Sequence, residues 1–162
     1  MTEVRSIEAD RETGLKVVCI ARRWIGTPYR HQASREGAGA DCLGLVRGIW
    51  RELYGAEPEP VPGYTADWAE TTGEERLLSA AGRHLLPVDS AEARPGDLCV
   101  FRMRDRGPCK HAAILVAAPL VTGRIVHAYS GHAVCETVAG PAWVRRLGGV
   151  FRFPTPCDAA KE

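Results

Sequence analysis

The hydrophobic pattern of this chain changes its period once, near residues 94–97. Before that point, apolar residues recur three and four positions apart, which is the spacing of an amphipathic helix. After it, short apolar or alternating runs are separated by turn residues, which is typical of β-strands. Helices followed by an antiparallel meander of strands predict an α+β fold.

Three helices and five strands follow from this pattern. The predicted helices span residues 4–25, 42–55 and 74–85. The predicted strands span residues 98–102, 111–117, 124–129, 133–138 and 150–153. We expect a hairpin turn near Pro119 to join the second and third of these strands.

Length and charge limit the kinds of protein this chain can be. It has 162 residues, the length of a single domain, whose core we place at about residues 15–153. Lys and Arg number 21 against 20 Asp and Glu and are scattered, which argues against a nucleic-acid partner. No apolar run approaches the ~18 residues needed to cross a bilayer, so we expect no membrane insertion. The N-terminus lacks the apolar segment of a signal peptide, which predicts synthesis in the cytoplasm.

The six cysteines form no C-x-x-C pair. This spacing argues against a disulfide framework and against a zinc knuckle. The alternative is a metal set of Cys99, Cys109 and His111, although its spacing matches no ligand pattern. We therefore predict no metal and no cofactor, and we expect most of the cysteines to fill the core.

Cys42 differs from the other cysteines because it lies in the predicted first turn of a helix, behind a Gly-rich loop at 26–40. Loops of this length are commonly functional. The helix dipole and the unpaired amides of a first turn favour a thiolate, which predicts a lowered pKa and a nucleophilic sulfur. The negative charge of Asp41, the predicted N-cap, acts in the opposite direction and favours the neutral thiol. The alternative is a structural cysteine that packs beneath the helix.

A cysteine nucleophile needs a base, and histidine is the side chain with a suitable pKa. His111 begins one predicted strand and His127 ends the next. If the hairpin brings the two residues directly opposite each other, both imidazoles lie on one face of the sheet. His127 is alternatively a strand-end histidine that hydrogen-bonds in the core, and His132 and Glu136 remain candidates for the third member of the site.

Five short blocks occur in a fixed order along the chain. They are Trp-Ile-Gly-Thr-Pro-Tyr-Arg at 24–30, Asp-Cys-Leu-Gly-Leu-Val at 41–46, Pro-Gly-Asp-Leu at 95–98, His-Ala-Ala-Ile at 111–114 and Ile-Val-His-Ala at 125–128. This ordered set resembles the NlpC/P60 family of cell-wall cysteine peptidases over about residues 24–153. The resemblance is strongest to the tail-associated cell-wall peptidases of phages and gene transfer agents, in which Tyr-Arg-His-Gln-Ala-Ser and Asp-Cys-Leu-Gly-Leu recur.

The resemblance implies a papain-like α+β fold and hydrolysis of peptide bonds in peptidoglycan stem peptides, commonly between D-γ-glutamyl and a diamino acid. Carried over by motif, Cys42 is the nucleophile, His111 is the base and His127 is the polar residue that orients the base. Tyr29 and Asp41 are the implied substrate-binding or oxyanion residues.

The chain departs from the family pattern at two places. Leu43 stands where many members have Ser, and His-Gln-Ala-Ser at 31–34 replaces a Gly-Gly pair. These departures predict altered substrate subsites. Two other functions stay open, an amidase or acyltransferase on the same scaffold and a tail adaptor protein with a vestigial site.

The same resemblance predicts a partner and a location. We expect tail hub or baseplate proteins to carry the chain in a phage-like particle, since it lacks a signal peptide and a wall-binding domain. Docking is expected on residues 57–68, where Tyr64 and Trp68 are aromatics of the kind found at interfaces. The alternative is that both rings cover the core.

Overall fold

The computed structural model describes residues 2–64 and 74–159. Its helices are α1 (Thr2–Arg23), α2 (Cys42–Tyr54), α3 (Arg76–His84), α4 (Gly140–Val144) and α5 (Pro156–Ala159). The three predicted helices are confirmed, with ends displaced by no more than two residues. The short helices α4 and α5 were not predicted, because four or five residues do not display a helical period. Within the described ranges, no helix is long and apolar enough to span a bilayer.

A six-stranded antiparallel sheet forms the other half of the fold, in the order β3-β8-β4-β5-β6-β7. These strands are β3 (Leu86–Val88), β4 (Leu98–Arg102), β5 (Cys109–Ala117), β6 (Arg124–His127), β7 (Cys135–Val138) and β8 (Leu147–Arg152). The loop before α2 adds a small hairpin of β1 (Ser34–Arg35) and β2 (Gly39–Ala40). The structure is thus α+β, as predicted.

The predicted meander is correct for β4 to β7 but wrong for β8. This strand returns across the sheet and pairs with β4 and β3, so that Leu98 lies opposite Phe151 and Val88 opposite Val150. The hydrophobic pattern indicates which residues form a strand and which face is buried. It does not indicate which neighbour that strand takes.

Both faces of the sheet are covered. On one face α1, α2 and α3 pack on the larger core, which includes Val17, Ile20, Leu45, Ile49, Val100 and Ile114. On the other face Trp143 of α4 packs on a smaller cluster that includes Phe101, Ala113, Leu115 and Ile125. Burial on both faces explains why β5 is continuously apolar over residues 112–116.

The start of α2 is fixed by its N-cap and by the preceding loop. The carboxylate of Asp41 accepts a hydrogen bond from the Gly44 amide at 2.7 Å. A Cβ at Gly44 would lie 1.8 Å from the carbonyl oxygen of Ala33, so only glycine lets the loop pack this closely. Ala40, at the end of this loop, forms a bridge with Tyr29. The loop therefore holds Tyr29 next to the helix start that carries Cys42.

Candidate active site

A cavity of about 270 Å³ opens at the start of α2. Four of the five predicted site residues line it, namely Tyr29, Asp41, Cys42 and His111. The fifth, His127, lies behind His111 and contacts it directly. The structure therefore brings together all five residues that the sequence nominated.

The Cys42 sulfur is held against β5 on both sides of His111. The thiol donates to the carbonyl oxygen of Lys110, with Sγ 3.7 Å from that oxygen. The backbone amide of Ala112 donates to the sulfur. Lys110 and Ala112 are the chain neighbours of His111, so the sulfur contacts the same stretch of β5 that carries the imidazole.

The predicted low pKa of Cys42 is wrong in direction. Burial, reinforced by the negative charge of Asp41, raises the pKa of the Cys42 thiol to about 11. The amides of Cys42, Leu43 and Ala112 act in the predicted direction and lower the pKa, but they do not offset burial. The resting nucleophile is therefore a neutral thiol at pH 7.

His111 and His127 form a hydrogen-bonded pair on one face of the sheet. The Nε2 atom of His111 lies 2.8 Å from Nδ1 of His127, and the two residues are 5% and 4% exposed. The predicted direct opposition of the two residues is wrong by two positions, because Ile114 pairs with Val126 in the observed register. A shift of two residues leaves side chains on the same face, which is why the contact survives.

Both imidazoles are neutral at pH 7. Burial, together with the proximity of His127, lowers the pKa of His111 to about 3. Burial alone lowers the pKa of His127 to about 4. A neutral imidazole has one donor and one acceptor nitrogen, so the pair consists of one ring that donates and one that accepts.

Thr137 is a contact of the site that the sequence did not reveal. Its Oγ1 lies 3.0 Å from Nε2 of His127, so both ring nitrogens of His127 have partners. Thr137 follows Cys135, the register partner of His127, by two residues in β7 and therefore lies on the same face. Only the register of β6 and β7 could have identified it.

The two other predicted candidates for the third member lie elsewhere. Glu136 pairs with Arg22 at 2.9 Å and with Arg124 at 3.5 Å. His132 is exposed, and its ring lies 6.0 Å from that of Tyr129. Nε2 of His111, which Glu136 or His132 would contact as the orienting residue, already contacts Nδ1 of His127.

Trp143 is a second unpredicted contact. Its ring stacks on the His111 ring, with centroids 5.2 Å apart and planes 29° apart. Phe101 also packs edge-on against the indole, at 4.9 Å between ring centroids. The aromatic contact covers the base and contributes to the burial that keeps it neutral.

The carboxylate of Asp41 is buried and fully engaged. Beyond the cap on Gly44, it accepts from the amide of Gln32 at 2.7 Å and from the hydroxyl of Tyr64. The carbonyl oxygen of Tyr64 accepts in turn from Nε2 of His31 at 2.7 Å. These contacts establish Asp41 as a structural cap, whereas its contact with substrate stays a prediction.

Tyr64 lines the cavity and packs edge-on against His31 at 5.0 Å between ring centroids. Tyr64 is thus part of the cavity that holds Cys42, and docking of a partner on residues 57–68 stays a prediction. The proline-rich segment that precedes Tyr64 passes α2 and α3 and reaches the cavity. There the hydroxyl of Tyr64 donates a hydrogen bond to the carboxylate of Asp41. Trp68, the other predicted docking residue, lies outside the described residues.

Tyr29 faces the same cavity. Burial, and then the charges of Asp41 and Cys42, raise the pKa of its hydroxyl. The hydroxyl also hydrogen-bonds to the side chain of Ser130. Leu43 and His31, the two departures from the family pattern, line the cavity as well, so they are placed to alter the substrate subsites.

The metal alternative does not assemble. Cys99 lies in the smaller cluster on one face of the sheet, whereas Cys109 lies in the larger core on the other face. Among the residues that the structure describes, no group of three or more His, Cys, Asp or Glu side chains is arranged to hold a metal ion.

Comparison with known sequences decides the family. The sequence model described as the NlpC/P60 family matches residues 26–152, which include all five predicted site residues. The chain belongs to the NlpC/P60 family. The predicted family resemblance is thereby confirmed.

Two relatives of this NlpC/P60 chain have named activities. Murein DD-endopeptidase MepH of Escherichia coli (strain K12) is 28% identical over 134 residues, which cover 82% of this chain and 43% of the relative. Gamma-DL-glutamyl hydrolase of Bacillus subtilis (strain 168) is 26% identical over 151 residues, which cover 92% of this chain and 32% of the relative. The chain spans less than half the length of either relative.

Solved structures show the same fold. An NlpC/P60 family protein from Bacillus cereus ATCC 10987 aligns with a TM-score of 0.60 and 18% identity, covering 86% of this chain and 40% of that one. NlpC2 from Trichomonas vaginalis aligns with a TM-score of 0.58 and 19% identity, covering 87% and 47%. The α+β arrangement of this NlpC/P60 chain is therefore that of its family.

The geometry of this NlpC/P60 site is suited to acyl transfer. A thiol and an imidazole share one cavity, and a second imidazole holds the first by its far nitrogen. This is the nucleophile, base and orienting-group arrangement of covalent catalysis. Because His127 contacts Nε2 of His111, Nδ1 is the nitrogen of His111 that is left to take a proton.

Proposed function

We propose that this NlpC/P60 domain is a cysteine endopeptidase that hydrolyses peptide bonds in the stem peptides of peptidoglycan. The observation that carries the proposal is the pairing of His111 with His127 behind a cavity whose wall also holds the Cys42 sulfur. The names of the two relatives, a murein endopeptidase and a glutamyl hydrolase, support the substrate class.

In the proposed mechanism the thiol is deprotonated as it attacks. The pKa of Cys42 is about 11 and that of His111 about 3, so a resting thiolate–imidazolium pair is disfavoured. The proton therefore moves from Sγ to Nδ1 of His111 as the sulfur–carbon bond forms. His111 then returns this proton to the leaving amine, which gives a thioester on Cys42. Water, activated by the same nitrogen, hydrolyses the thioester.

The developing oxyanion needs hydrogen-bond donors, and the start of α2 supplies them. The amides of Cys42 and Leu43 already lower the pKa of the thiol, which means that they favour negative charge at this point. The hydroxyl of Tyr29 is the further donor that we assign to substrate or to the oxyanion. Asp41 has no hydrogen to donate when it is ionised, so we assign it to holding Tyr64 and the helix start.

Digestion of purified sacculi tests the chemistry. The wild type is expected to release soluble stem-peptide fragments and glycan strands, whereas Cys42→Ala is expected to release none. Cys19→Ser is the matched control, because Cys19 is exposed on α1 and should leave digestion unchanged. Release by Cys42→Ala would contradict the proposal. Cleavage of the amide bond that joins the sugar to the stem peptide, rather than of a bond within the stem, would show an amidase instead.

We assign the cleaved bond to the one between D-γ-glutamyl and the diamino acid. The name of the Bacillus subtilis relative supports this assignment, whereas that of the Escherichia coli relative names a DD-endopeptidase. A cross-linked muropeptide dimer contains both kinds of bond. Mass spectrometry is expected to show stems shortened to a dipeptide, and release of intact monomers would show cleavage of the cross-link instead.

We also propose that a phage-like tail or baseplate carries this chain to the cell wall. The support is the resemblance of the blocks at 29–34 and 41–45 to those of tail-associated family members. Fractionation of purified particles tests the location, with the chain expected in intact particles. Its presence only in lysed host cytoplasm would favour a peptidase that recycles muropeptides.

A further inference from the structure

We propose that Thr137 is a positioning residue for the histidine pair. Its hydroxyl oxygen accepts a hydrogen bond from His127 and so stabilises the charged pair that forms when His111 takes the thiol proton. The inference rests on the peptidase mechanism proposed above.

The sheet register places Thr137 for this role. Cys135 of the edge strand β7 pairs with His127, and Thr137 lies two residues further along on the same face. The Oγ1 atom of Thr137 is 3.0 Å from Nε2 of His127. His127 is 4% exposed, so an unpaired nitrogen at this position could not turn to bulk water without moving the ring.

The direction of the hydrogen bonds follows from counting protons. For His111 to accept a proton at Nδ1, its own proton must lie on Nε2, where it is donated to Nδ1 of His127. Because that nitrogen accepts, the proton of His127 lies on Nε2 and points at Thr137. In the reverse arrangement, the proton of His111 would occupy Nδ1, and the ring could not act as a base.

The charged state makes the role of Thr137 obligatory. Once the pair has gained the thiol proton, its three protons occupy Nδ1 of His111, the shared hydrogen bond and Nε2 of His127. Moving the shared proton from one ring to the other leaves Nε2 of His127 protonated in both cases. Thr137 must therefore accept, and its hydrogen bond strengthens as the charge forms. A contact that strengthens in the transition state affects kcat more than KM.

Among the residues that the structure describes, the groups in contact with His127 carry no competing charge. Tyr129 and Trp143 present their rings, at 5.9 and 5.5 Å from the His127 ring. The nearest carboxylate along β7, Glu136, is paired with Arg22 at 2.9 Å. Stabilisation of the charged pair beyond the rings themselves thus comes from the hydroxyl of Thr137.

Nitrogen NMR of histidine-labelled protein tests the proposal without relying on activity. In the wild type we expect Nε2 of His127 to appear as a protonated nitrogen and Nδ1 as an unprotonated one. Thr137→Ser should reproduce this pattern. Thr137→Val should either shift the proton positions towards the reverse arrangement or lower the pKa of the pair. The exposed Thr122→Val is the matched control and should match the wild type.

Kinetics on muropeptides provides the second readout. Thr137→Val is expected to lower kcat by about 10- to 100-fold with little change in KM, because a hydrogen bond to a charged group is lost. Thr137→Ser should stay within about threefold of the wild type. An unprotonated Nε2 on His127, or a folded Thr137→Val in which both the nitrogen pattern and the pKa of the pair equal those of the wild type, would overturn the proposal. If the wild type cleaves no peptidoglycan but the nitrogen pattern is as expected, the proposed function fails and the placement of Thr137 stands.

Discussion

Cys42 lies at a helix start and is partly buried, and these two features change the pKa of its thiol in opposite directions. The amides of the first turn favour the thiolate, but burial and the neighbouring Asp41 raise the pKa to about 11. A helix N-terminus contributes on the order of 1 kcal/mol, whereas burial of an ionised group costs several times more. The nucleophile is therefore activated by His111 during the reaction and not by its resting environment.

Alkylation should report this resting state. At pH 7 we expect iodoacetamide to modify the exposed Cys19 and Cys157 before Cys42. The rate at Cys42 should then rise as the pH approaches about 11. Peptide mapping by mass spectrometry over a series of pH values measures each site. Rapid modification of Cys42 at pH 6 to 7 would show a lowered pKa and contradict the structure.

Substitution of the two histidines should give graded losses. His111→Ala should remove nearly all turnover because the base is gone. His127→Asn should keep part of the activity, since an amide oxygen still accepts from Nε2 of His111, while His127→Ala should lose more. Turnover of the three variants on one muropeptide is the measurement. Full activity in His127→Ala would exclude His127 as the orienting residue.

At the scale of elements, local pattern was enough for the parts that bear the nucleophile and the base. The N-cap and apolar face of α2 fix Cys42 in its first turn. The alternating direction of side chains along β5 and β6 places His111 and His127 on one face. Return of β8 to β4 and formation of the short helix α4 depend on contacts between distant residues. For that reason, Thr137 and Trp143 could not be predicted as parts of the site.

The helix α4 has a testable effect on the base. Trp143 stacks on His111, so Trp143→Ala should expose the imidazole and raise its pKa from about 3 towards the ordinary value of 6.5. Trp143→Phe keeps an aromatic cover and is the matched control. A pH titration of the His111 ring by NMR measures the shift. An unchanged pKa in a folded Trp143→Ala would show that other groups bury the base.

At the scale of the whole molecule, the buried histidines link the site to stability. Their pKa values in the fold, about 3 for His111 and about 4 for His127, lie below the ordinary value of 6.5. Between the pKa values in the fold and the ordinary value of 6.5, the unfolded chain therefore binds more protons than the folded chain. The stability associated with the neutral pair is fully present above pH 6.5 and is lost as the pH falls towards 4 and 3.

Denaturant unfolding from pH 7 to pH 5 should show this loss. Each histidine is expected to contribute a slope approaching about 1.4 kcal/mol per pH unit in the free energy of unfolding. A double variant, His111→Asn with His127→Asn, should show a clearly smaller slope over the same range. Equal slopes in wild type and variant would mean that the histidines titrate normally in the fold.

In the proposed mechanism, a thioester forms on Cys42 during hydrolysis of a stem peptide. The most direct measurement is acid quenching of the wild type during turnover of a muropeptide, followed by mass spectrometry of the intact protein and its peptides. We expect a mass increase equal to the acyl part of the stem, located on the peptide that contains Cys42 and absent from Cys42→Ala. An adduct on another residue, or turnover that persists in Cys42→Ala, would contradict it.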